Sequence, residues 1–309
     1  MITATFIAGN AQGTDMIIGP GALGLFLAWD QGAQSRSANM VFLGKRNIAF
    51  PVSLRSSSES VAPITAQNCF FYTKATSIDW TQIDRVFVAV QPDQIENVVS
   101  EISKSPLRDK ALVVFCNNGI VNNKNVTTII GSHPNTNIVR ALMFAGLKRI
   151  TSTNGTLVEH SGGHRVVWGW LKKNSPTPSL ELTGNILAWE YSDNIVTIEA
   201  EKLFTNLVLA EVIGCSQTPN GQLFNLISAA NIEFAARQFC EIFCDRNLTA
   251  QSLISSLAQT VNETANNTNS ASLALLESNT APRDAFRSAV ETQAKCAAEA
   301  LELYKLLRK

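Results

Sequence analysis

Charge is scarce in this chain of 309 residues, and neither sign is in excess. Asp, Glu, Lys and Arg together make up 16% of the residues, and the formal net charge is +0. Proteins that bind nucleic acid or an anionic membrane surface usually carry a basic patch, so this balance argues against both kinds of partner. The hydrophobic share of 45% is large enough for a sizeable core, which argues against disorder.

Long apolar runs and metal-binding patterns are also missing. No run reaches the roughly 18 to 20 residues that span a membrane. No charged segment followed by an apolar one opens the chain, so we expect a cytoplasmic protein. The six cysteines are scattered and are interpreted as reduced thiols. The three histidines lack a spacing such as His-Glu-x-x-His, so no metal site is predicted.

A glycine-rich turn near the start of the chain is the most informative feature. Residues 17–24 read Ile-Ile-Gly-Pro-Gly-Ala-Leu-Gly, a Gly-x-Gly-x-x-Gly turn between an apolar strand and an apolar helix. In a dinucleotide site, Gly19 forms the tight turn, Gly21 lets the pyrophosphate approach, and Gly24 lets the helix pack on the strand. Ala22 and Leu23 would open the helix, whose N-terminus attracts phosphates. The alternative is a purely structural glycine turn.

The end of the second predicted strand indicates which nucleotide binds. Residues 39–43 are apolar and lead into Gly44, Lys45 and Arg46. An NAD site usually has an acid about 20 residues past the glycines to hold the ribose 2′-hydroxyl. Cations instead suit a 2′-phosphate. Lys45 and Arg46 therefore predict NADP(H) as the cofactor, unless both are ordinary solvated charges in a loop.

Strand and helix patterns alternate in the first part of the chain. Apolar strands at residues 85–90 and 111–116, with an amphipathic helix at 94–102, predict an α/β, Rossmann-type doubly wound sheet. Two apolar runs, residues 157–160 and 165–168, flank Gly162 and Gly163 and predict an antiparallel hairpin. His160 and His164, which lie beside that turn, are expected on the surface.

Beyond residue 194 the pattern becomes helical. Its period of 3.6 residues predicts helices over residues 197–213, 223–243, 248–264 and 282–307. We therefore expect an NADP-binding domain over residues 1–190, with an N-terminal extension at 1–15. An all-α domain over residues 191–309 would then bind the substrate and offer a surface for a possible homodimer.

Two groups of polar residues are placed to do chemistry. Asn117-Asn118-Gly119 follows a buried strand, where ligands of open parallel sheets bind, although Asn-Gly is also a favoured turn pair. Lys202 and Asn206 share one face of a predicted helix. A lysine there is either a solvated charge or, if desolvated, a proton donor near neutral pH.

A third polar group lies near the turn at residues 279–282. It consists of Asn269, Ser272 and Asp284. Asp284 also has a simple structural explanation, because an acid in the first turn of a helix favours the helix dipole. Ser272 is alternatively an exposed helical residue.

These groups, in this order after the glycine turn, resemble the ketopantoate reductases (2-dehydropantoate 2-reductases) over most of residues 14–290. The family turn of form Gly-x-Gly-Ala-x-Gly is found at residues 19–24. The other matching elements are the arginine after the second strand at Arg46, the Gln-Asn-Gly element at 117–119, the Lys-Leu-x-x-Asn helix at 202–206, and an Asn-x-x-Ser segment with an acid twelve residues later at Asn269, Ser272 and Asp284.

The resemblance implies NADPH-dependent reduction of a 2-oxo acid in a cleft between two domains, which for ketopantoate is a step of pantothenate biosynthesis. Lys202 would donate the proton to the new hydroxyl. Asn118 would position Lys202 or the substrate carbonyl at the cofactor. The residues implied in binding the substrate carboxylate and hydroxyl are Asn206, Asn269 and Ser272. Asp284 would accept from a substrate hydroxyl or from the nicotinamide ribose.

Three positions depart from the family pattern. Gln91 stands where the family often has a lysine, Ala210 where it has a second asparagine, and Asp284 where it commonly has glutamate. A missing hydrogen-bond partner in a buried site costs about 1–3 kcal/mol, enough to shift substrate preference. A related reductase of another 2-oxo acid or small ketone therefore stays open, as does a non-catalytic NADP-binding sensor. Retention of the lysine and both asparagines argues against the sensor, which needs no proton donor.

Overall fold

The described chain forms one nine-stranded sheet with helices between its strands, and further helices follow the sheet. The computed structural model describes residues 14–32, 39–45, 48, 50–56, 64, 69–172, 182–184, 186–216, 218–266, 281–294 and 297–307. The strands are β1 (Thr14–Ile18), β2 (Asn39–Leu43), β3 (Val52–Ser56), β4 (Cys69–Tyr72), β5 (Ile83–Val88), β6 (Leu112–Phe115), β7 (Asn137–Ser152), β8 (Gly155–Lys172) and β9 (Ala188–Tyr191).

The helices are divided between the sheet and the second half of the chain. Those beside the sheet are α1 (Ala22–Asp30), α2 (Ile95–Lys104) and α3 (Asn123–Ser132). Those that follow are α4 (Ile195–Val208), α5 (Leu223–Leu226), α6 (Ala229–Ile242), α7 (Ala250–Glu263), α8 (Ala281–Gln293) and α9 (Ala297–Leu307). Directly after α4 the chain continues as a π-helix over Leu209–Ile213.

The strand order is β3-β8-β7-β6-β5-β1-β2-β4, with β9 beside β8. Neighbouring strands are parallel except for β7 and β8, so the Rossmann-type prediction is confirmed. The order runs outward in both directions from β1. The carboxyl ends of β1, β2 and β5 therefore meet at one edge, where open parallel sheets bind their ligands.

Both faces of the sheet are buried, which explains why its central strands are apolar throughout. In β1, Ile17 packs in the cluster that contains α1, whereas Met16 and Ile18 pack with α2 and α3. A third cluster forms the core of the later helices. We call residues 14–191 the sheet half and 195–307 the helical half. The change from strands to helices falls between these ranges, and the division into domains at residue 190 stays a prediction.

The predicted hairpin at Gly162 and Gly163 is wrong. β7 and β8 do form an antiparallel hairpin, but its turn lies at residues 153–154, and β8 runs straight through both glycines. The glycines instead form an irregularity in the pairing, with φ angles of 134° and 78°. β8 is long because its first part pairs with β3 and its second part with β9. His160, expected on the surface, is 3% exposed and packs against the ring of Phe26, whereas His164 is exposed.

Three other boundaries differ from the predictions. β1 begins at Thr14 rather than Met16, within the predicted N-terminal extension, because the amide of Thr14 and the carboxylate of Asp15 find partners on β5. The helix expected over residues 223–243 is two helices, since the Ser228 side chain caps the second. The helix expected over residues 282–307 is likewise two, α8 and α9.

Candidate active site

The three glycines of the turn occupy three different environments. Gly19 has a φ of +91°, and a Cβ there would lie 2.8 Å from the carbonyl oxygen of Ala89. A Cβ on Gly24 would lie 2.3 Å from the carbonyl oxygen of Gly19, so α1 packs against the turn itself. A Cβ on Gly21 would meet nothing within 4 Å. Gly19 and Gly24 are thus required by the fold, whereas Gly21 leaves open space where a pyrophosphate would lie.

A cavity of about 700 Å³ opens beside this turn. It lies along the carboxyl ends of β1, β2, β4 and β5 and is closed on one side by α2. Its lining includes Gly19, Gly21, Lys45 and Gln91 among the residues singled out from the sequence. Ala22 and Leu23 form the first turn of α1 directly after it, where no side chain caps the helix. Arg46 lies outside the described residues.

Two cations in the lining were not found by sequence reasoning. Lys74 follows β4, and Arg149 lies near the end of β7. The Arg149 guanidinium donates to the carbonyl oxygen of Pro20 at 2.7 Å, so the extended β7 reaches the glycine turn. The sequence does contain a signal for Lys74, because this lysine follows the end of a strand as Lys45 does. The sequence contains no signal for Arg149, since its contact with Pro20 joins positions 129 residues apart.

Lys202, on α4, lies against the Asn118 turn that follows β6. Its ammonium group donates to the carbonyl oxygen of Met143 at 2.5 Å and to Oδ1 of Asn118 at 3.4 Å. The ring of Phe144 lies 5.1 Å from Nζ. Burial, together with the positive charge of Arg140, lowers the pKa of Lys202 to about 7. The amine can therefore hold or release a proton near neutral pH.

A buried ion network fixes the turn that carries Asn118. The Arg140 guanidinium is 1% exposed and pairs with Glu199, which also accepts from Arg246 at 3.1 Å. Arg140 donates to the carbonyl oxygens of Asn117 and Gly119, both at 2.8 Å. The network therefore ties β7, the turn after β6 and α4 together.

Sequence reasoning missed this network, although two signals were available. An arginine interrupts the apolar strand at residues 137–143, and Glu199 stands on the apolar face of α4, between Ile195 and Leu203. Ionic side chains at such positions are rarely buried unless they are paired.

The remaining predicted site residues are only partly brought together. Asn206 lies one turn after Lys202 on α4, is partly buried, and forms no side-chain hydrogen bond with the described part of the chain. Asp284 is exposed on the first turn of α8 and does not line the cavity beside the glycine turn. Ala210 is buried within the π-helical segment. Asn269 and Ser272 lie outside the described residues.

Two further observations bear on the class of protein. Among the described residues, no group of three or more His, Cys, Asp and Glu side chains is placed to hold a metal ion. No described helix combines the length and the apolar character needed to cross a membrane.

Solved structures with the same fold include several oxidoreductases. A probable 2-dehydropantoate 2-reductase from Bacillus subtilis superposes with a TM-score of 0.72 at 18% identity, covering 96% of this chain and 99% of that one. A dimeric ketopantoate reductase from Staphylococcus aureus gives a TM-score of 0.67 at 15% identity, covering 96% and 97%. A D-mandelate dehydrogenase bound to NADH and anilino(oxo)acetate gives 0.67 at 15% identity, covering 95% and 97%. Identities this low show a common fold and no more.

The sequence itself identifies the family. No curated protein matches the chain. Residues 16–173, more than half of the chain, match the family described as ketopantoate reductase PanE/ApbA. This match covers the glycine turn, the cavity beside it and the Asn118 turn. The recognition made from the motifs is thereby confirmed: the chain belongs to the ketopantoate reductase PanE/ApbA family of oxidoreductases.

Proposed function

We propose that this protein reduces a 2-oxo acid with NADPH, and that ketopantoate, reduced to pantoate for pantothenate biosynthesis, is its substrate. The observation that carries the proposal is the environment of Lys202. A lysine amine with a pKa of about 7 is held by two acceptors at the end of β6, next to the strand ends that line the nucleotide cavity. A proton donor of that pKa is well matched to a reaction run near neutral pH.

The residues present fit a phosphorylated dinucleotide. The open space at Gly21, the uncapped N-terminus of α1 and the cation Lys45 suit phosphate groups. The nicotinamide dinucleotide, when bound, supplies a hydride to the ketone carbon. Lys45 and Arg46 favour the 2′-phosphorylated form.

Lys202 completes the reaction by protonation. As the hydride reaches the carbon, the carbonyl oxygen gains the electron pair of the broken π bond and becomes an alkoxide. The ammonium group has three donors, and two are engaged by Met143 and Asn118. The third is available to donate a proton to the alkoxide, which leaves a hydroxyl and a neutral amine. Asn118 holds Nζ in place for this transfer.

The substrate would lie between Lys202 and the later helices. Asn206, one turn along α4, offers an amide to the carboxylate or hydroxyl of the substrate. Asn269 and Ser272 complete this set in the proposal, and Asp284 accepts from a hydroxyl of the substrate or of the nicotinamide ribose. A relative from Staphylococcus aureus is described as dimeric, and we propose a homodimer for this chain as well.

A second candidate is reduction of a different 2-oxo acid. Gln91 brings no charge to the nucleotide cavity, and Ala210 presents no hydrogen-bonding group four residues after Asn206. Each change removes a polar partner that the family commonly has. The structural relative that holds anilino(oxo)acetate illustrates that this fold accepts other oxo acids.

The test is NADPH oxidation by the purified protein, measured with ketopantoate beside a panel of other 2-oxo acids. The Lys202→Met variant removes the ammonium group that would donate the proton but keeps a side chain of similar length. Lys104→Met, at the exposed end of α2, is the matched control. Turnover of ketopantoate that Lys202→Met abolishes and Lys104→Met preserves supports the proposal. Turnover of another acid alone supports the second candidate, and tight NADPH binding without any turnover supports the non-catalytic sensor.

A further inference from the structure

We infer that Lys74 forms, with Lys45, a two-lysine site for the 2′-phosphate of NADPH, so that the chain's preference for the phosphorylated coenzyme depends on both strand ends. This inference rests on the proposed function and extends it to a residue that the sequence motifs leave out.

The two lysines stand at the same level of neighbouring strands. β2 and β4 are parallel, and their last paired residues are Leu43 and Tyr72. The amide of Gly44 continues the pairing by donating to the carbonyl oxygen of Tyr72 at 3.1 Å. Lys45 and Lys74 each follow two residues after the last pair. Since neighbouring strands lie about 4.8 Å apart, both lysines leave the sheet at one place, and both line the cavity.

Neither lysine is neutralised within the described chain. Lys45 and Lys74 are exposed and form no ion pair or side-chain hydrogen bond with other described residues. The described lining carries three cations, these two and Arg149, against one carboxylate, that of Glu101 on α2. The described residues directly after β2, 44–45, and directly after β4, 73–78, include no acid that could hold the ribose 2′-hydroxyl of NAD.

The charge of the ligand explains why two lysines are suitable. A phosphate monoester carries about −1.5 to −2 charges at pH 7. Of the two described lysines, Lys45 alone would leave close to one negative charge uncompensated, whereas Lys45 and Lys74 together neutralise the group and also relieve their own mutual repulsion. The end of β2 is the position at which dinucleotide-binding sheets contact the adenosine ribose. The lysine pair therefore lies where the 2′-substituent would be.

The test separates the 2′-phosphate from the rest of the nucleotide. Binding to the intact protein is measured by titration calorimetry for NADPH and NADH, and for adenosine 2′-monophosphate and adenosine 5′-monophosphate. The variants are Lys74→Gln, Lys74→Arg and the control Lys104→Gln, each checked for folding by thermal melting. We expect Lys74→Gln to weaken NADPH and the 2′-monophosphate about tenfold, as for loss of a charge-assisted hydrogen bond, and to leave NADH and the 5′-monophosphate unchanged.

Two further readouts sharpen the result. Lys74→Arg should keep most of the affinity for NADPH, because it keeps the charge. The preference of the wild-type protein for NADPH over NADH should fall as salt is added, since the lysines are exposed and their attraction is screened. Equal losses for NADPH and NADH in Lys74→Gln, or no loss, would overturn the inference while leaving the reductase proposal intact. Failure of the wild-type protein to bind any of the four nucleotides would instead overturn both.

Discussion

The amine of Lys202 is balanced between two protonation states by groups from three elements. Burial and Arg140 favour the neutral amine, whereas Glu199 favours the ammonium ion. The carbonyl oxygen of Met143 and the amide oxygen of Asn118 hold Nζ in one place. A solvated lysine at the same position would stay charged until far above neutral pH and would give up its proton less readily.

The first prediction concerns the pH dependence of the reduction. The proposed reduction needs a protonated Lys202, and the pKa of this amine is about 7. We therefore expect kcat/KM for the 2-oxo acid to fall above pH 7 as the amine loses its proton. The decline should approach tenfold per pH unit. Oxidation of the hydroxy acid should show the opposite trend, since it needs the neutral amine. Steady-state rates between pH 6 and about 9 check this, and a reduction rate that stays flat to pH 9 would contradict it.

The second prediction concerns Gly21. A methyl group at this position meets nothing within 4 Å, so Gly21→Ala should fold with an unchanged melting temperature. The methyl group would, however, occupy the space proposed for the pyrophosphate. We expect NADPH and NADH affinities to fall together, by about tenfold or more.

Gly131→Ala is the control for Gly21→Ala, because its added methyl group also meets nothing within 4 Å and lies in α3. It should leave nucleotide binding unchanged and raise the stability of α3 by up to about 1 kcal/mol. Normal nucleotide binding by Gly21→Ala would exclude the proposed position of the pyrophosphate.

At the scale of elements, β7 connects the two parts of the site. Arg140, Met143 and Phe144 on this strand shape the surroundings of Lys202, and Arg149 reaches the glycine turn. The strand spans residues 137–152, longer than the other strands except β8. A shift of β7 would therefore move the acceptor of Lys202 and the glycine turn at the same time.

The third prediction concerns the carboxylate of Glu199. Glu199→Gln leaves the buried guanidinium of Arg140 without a negative partner, and removing one member of a buried ion pair typically costs about 3–5 kcal/mol. The loss of a negative charge also lowers the pKa of Lys202 further, since Glu199 raises it. The pH at which reduction declines should therefore move to lower values. Denaturant unfolding and pH–rate profiles measure the two effects.

An exposed ion pair provides the control for this variant. Glu233 pairs with Arg237 on the surface of α6, so Glu233→Gln should cost at most about 0.5 kcal/mol and leave the pH profile unchanged. If Glu199→Gln were as mild as Glu233→Gln in both measurements, the buried network would have no part in holding the site.

At the scale of the whole molecule, local patterns predicted the sheet and the glycine turn beside its cavity well. The glycine turn, the buried strands β5 and β6 and the basic end of β2 are each encoded within a few residues. The helical position of Lys202 was also predicted, because its motif is local, whereas its role as a proton donor stays a prediction. Its acceptor on Met143 was not predicted, since β7 and α4 meet through packing between residues 59 apart.

The errors have the same origin. The glycines at 162 and 163 have the composition of a turn, yet β8 continues through them because β3 and β9 pair with its two parts. A strand whose partners come from distant segments cannot be recognised from its own sequence. The pairing within the ion network has the same origin: Arg140 and Glu199 each stand out in their own segment, but they belong to different halves of the chain.

The fourth prediction follows from that network, which joins the sheet half to the helical half. The cavity beside the glycine turn is lined by residues of the sheet half, whereas Lys202 and Glu199 belong to the helical half. Because Arg140 and Glu199 pair in the interior between them, we expect the chain to unfold in one cooperative transition. NADPH at about 100 times its Kd should then stabilise the whole chain by about 2.7 kcal/mol.

Calorimetry with and without NADPH distinguishes coupled from independent halves. Coupled halves give one transition that moves as a unit to higher temperature when NADPH is added. Independent halves give two transitions, of which NADPH moves only that of the sheet half. The second pattern would contradict the prediction, because Lys202 could then lose its place at Met143 and Asn118 without unfolding of the sheet. In Glu199→Gln the coupling should weaken, so that this variant alone approaches the two-transition pattern.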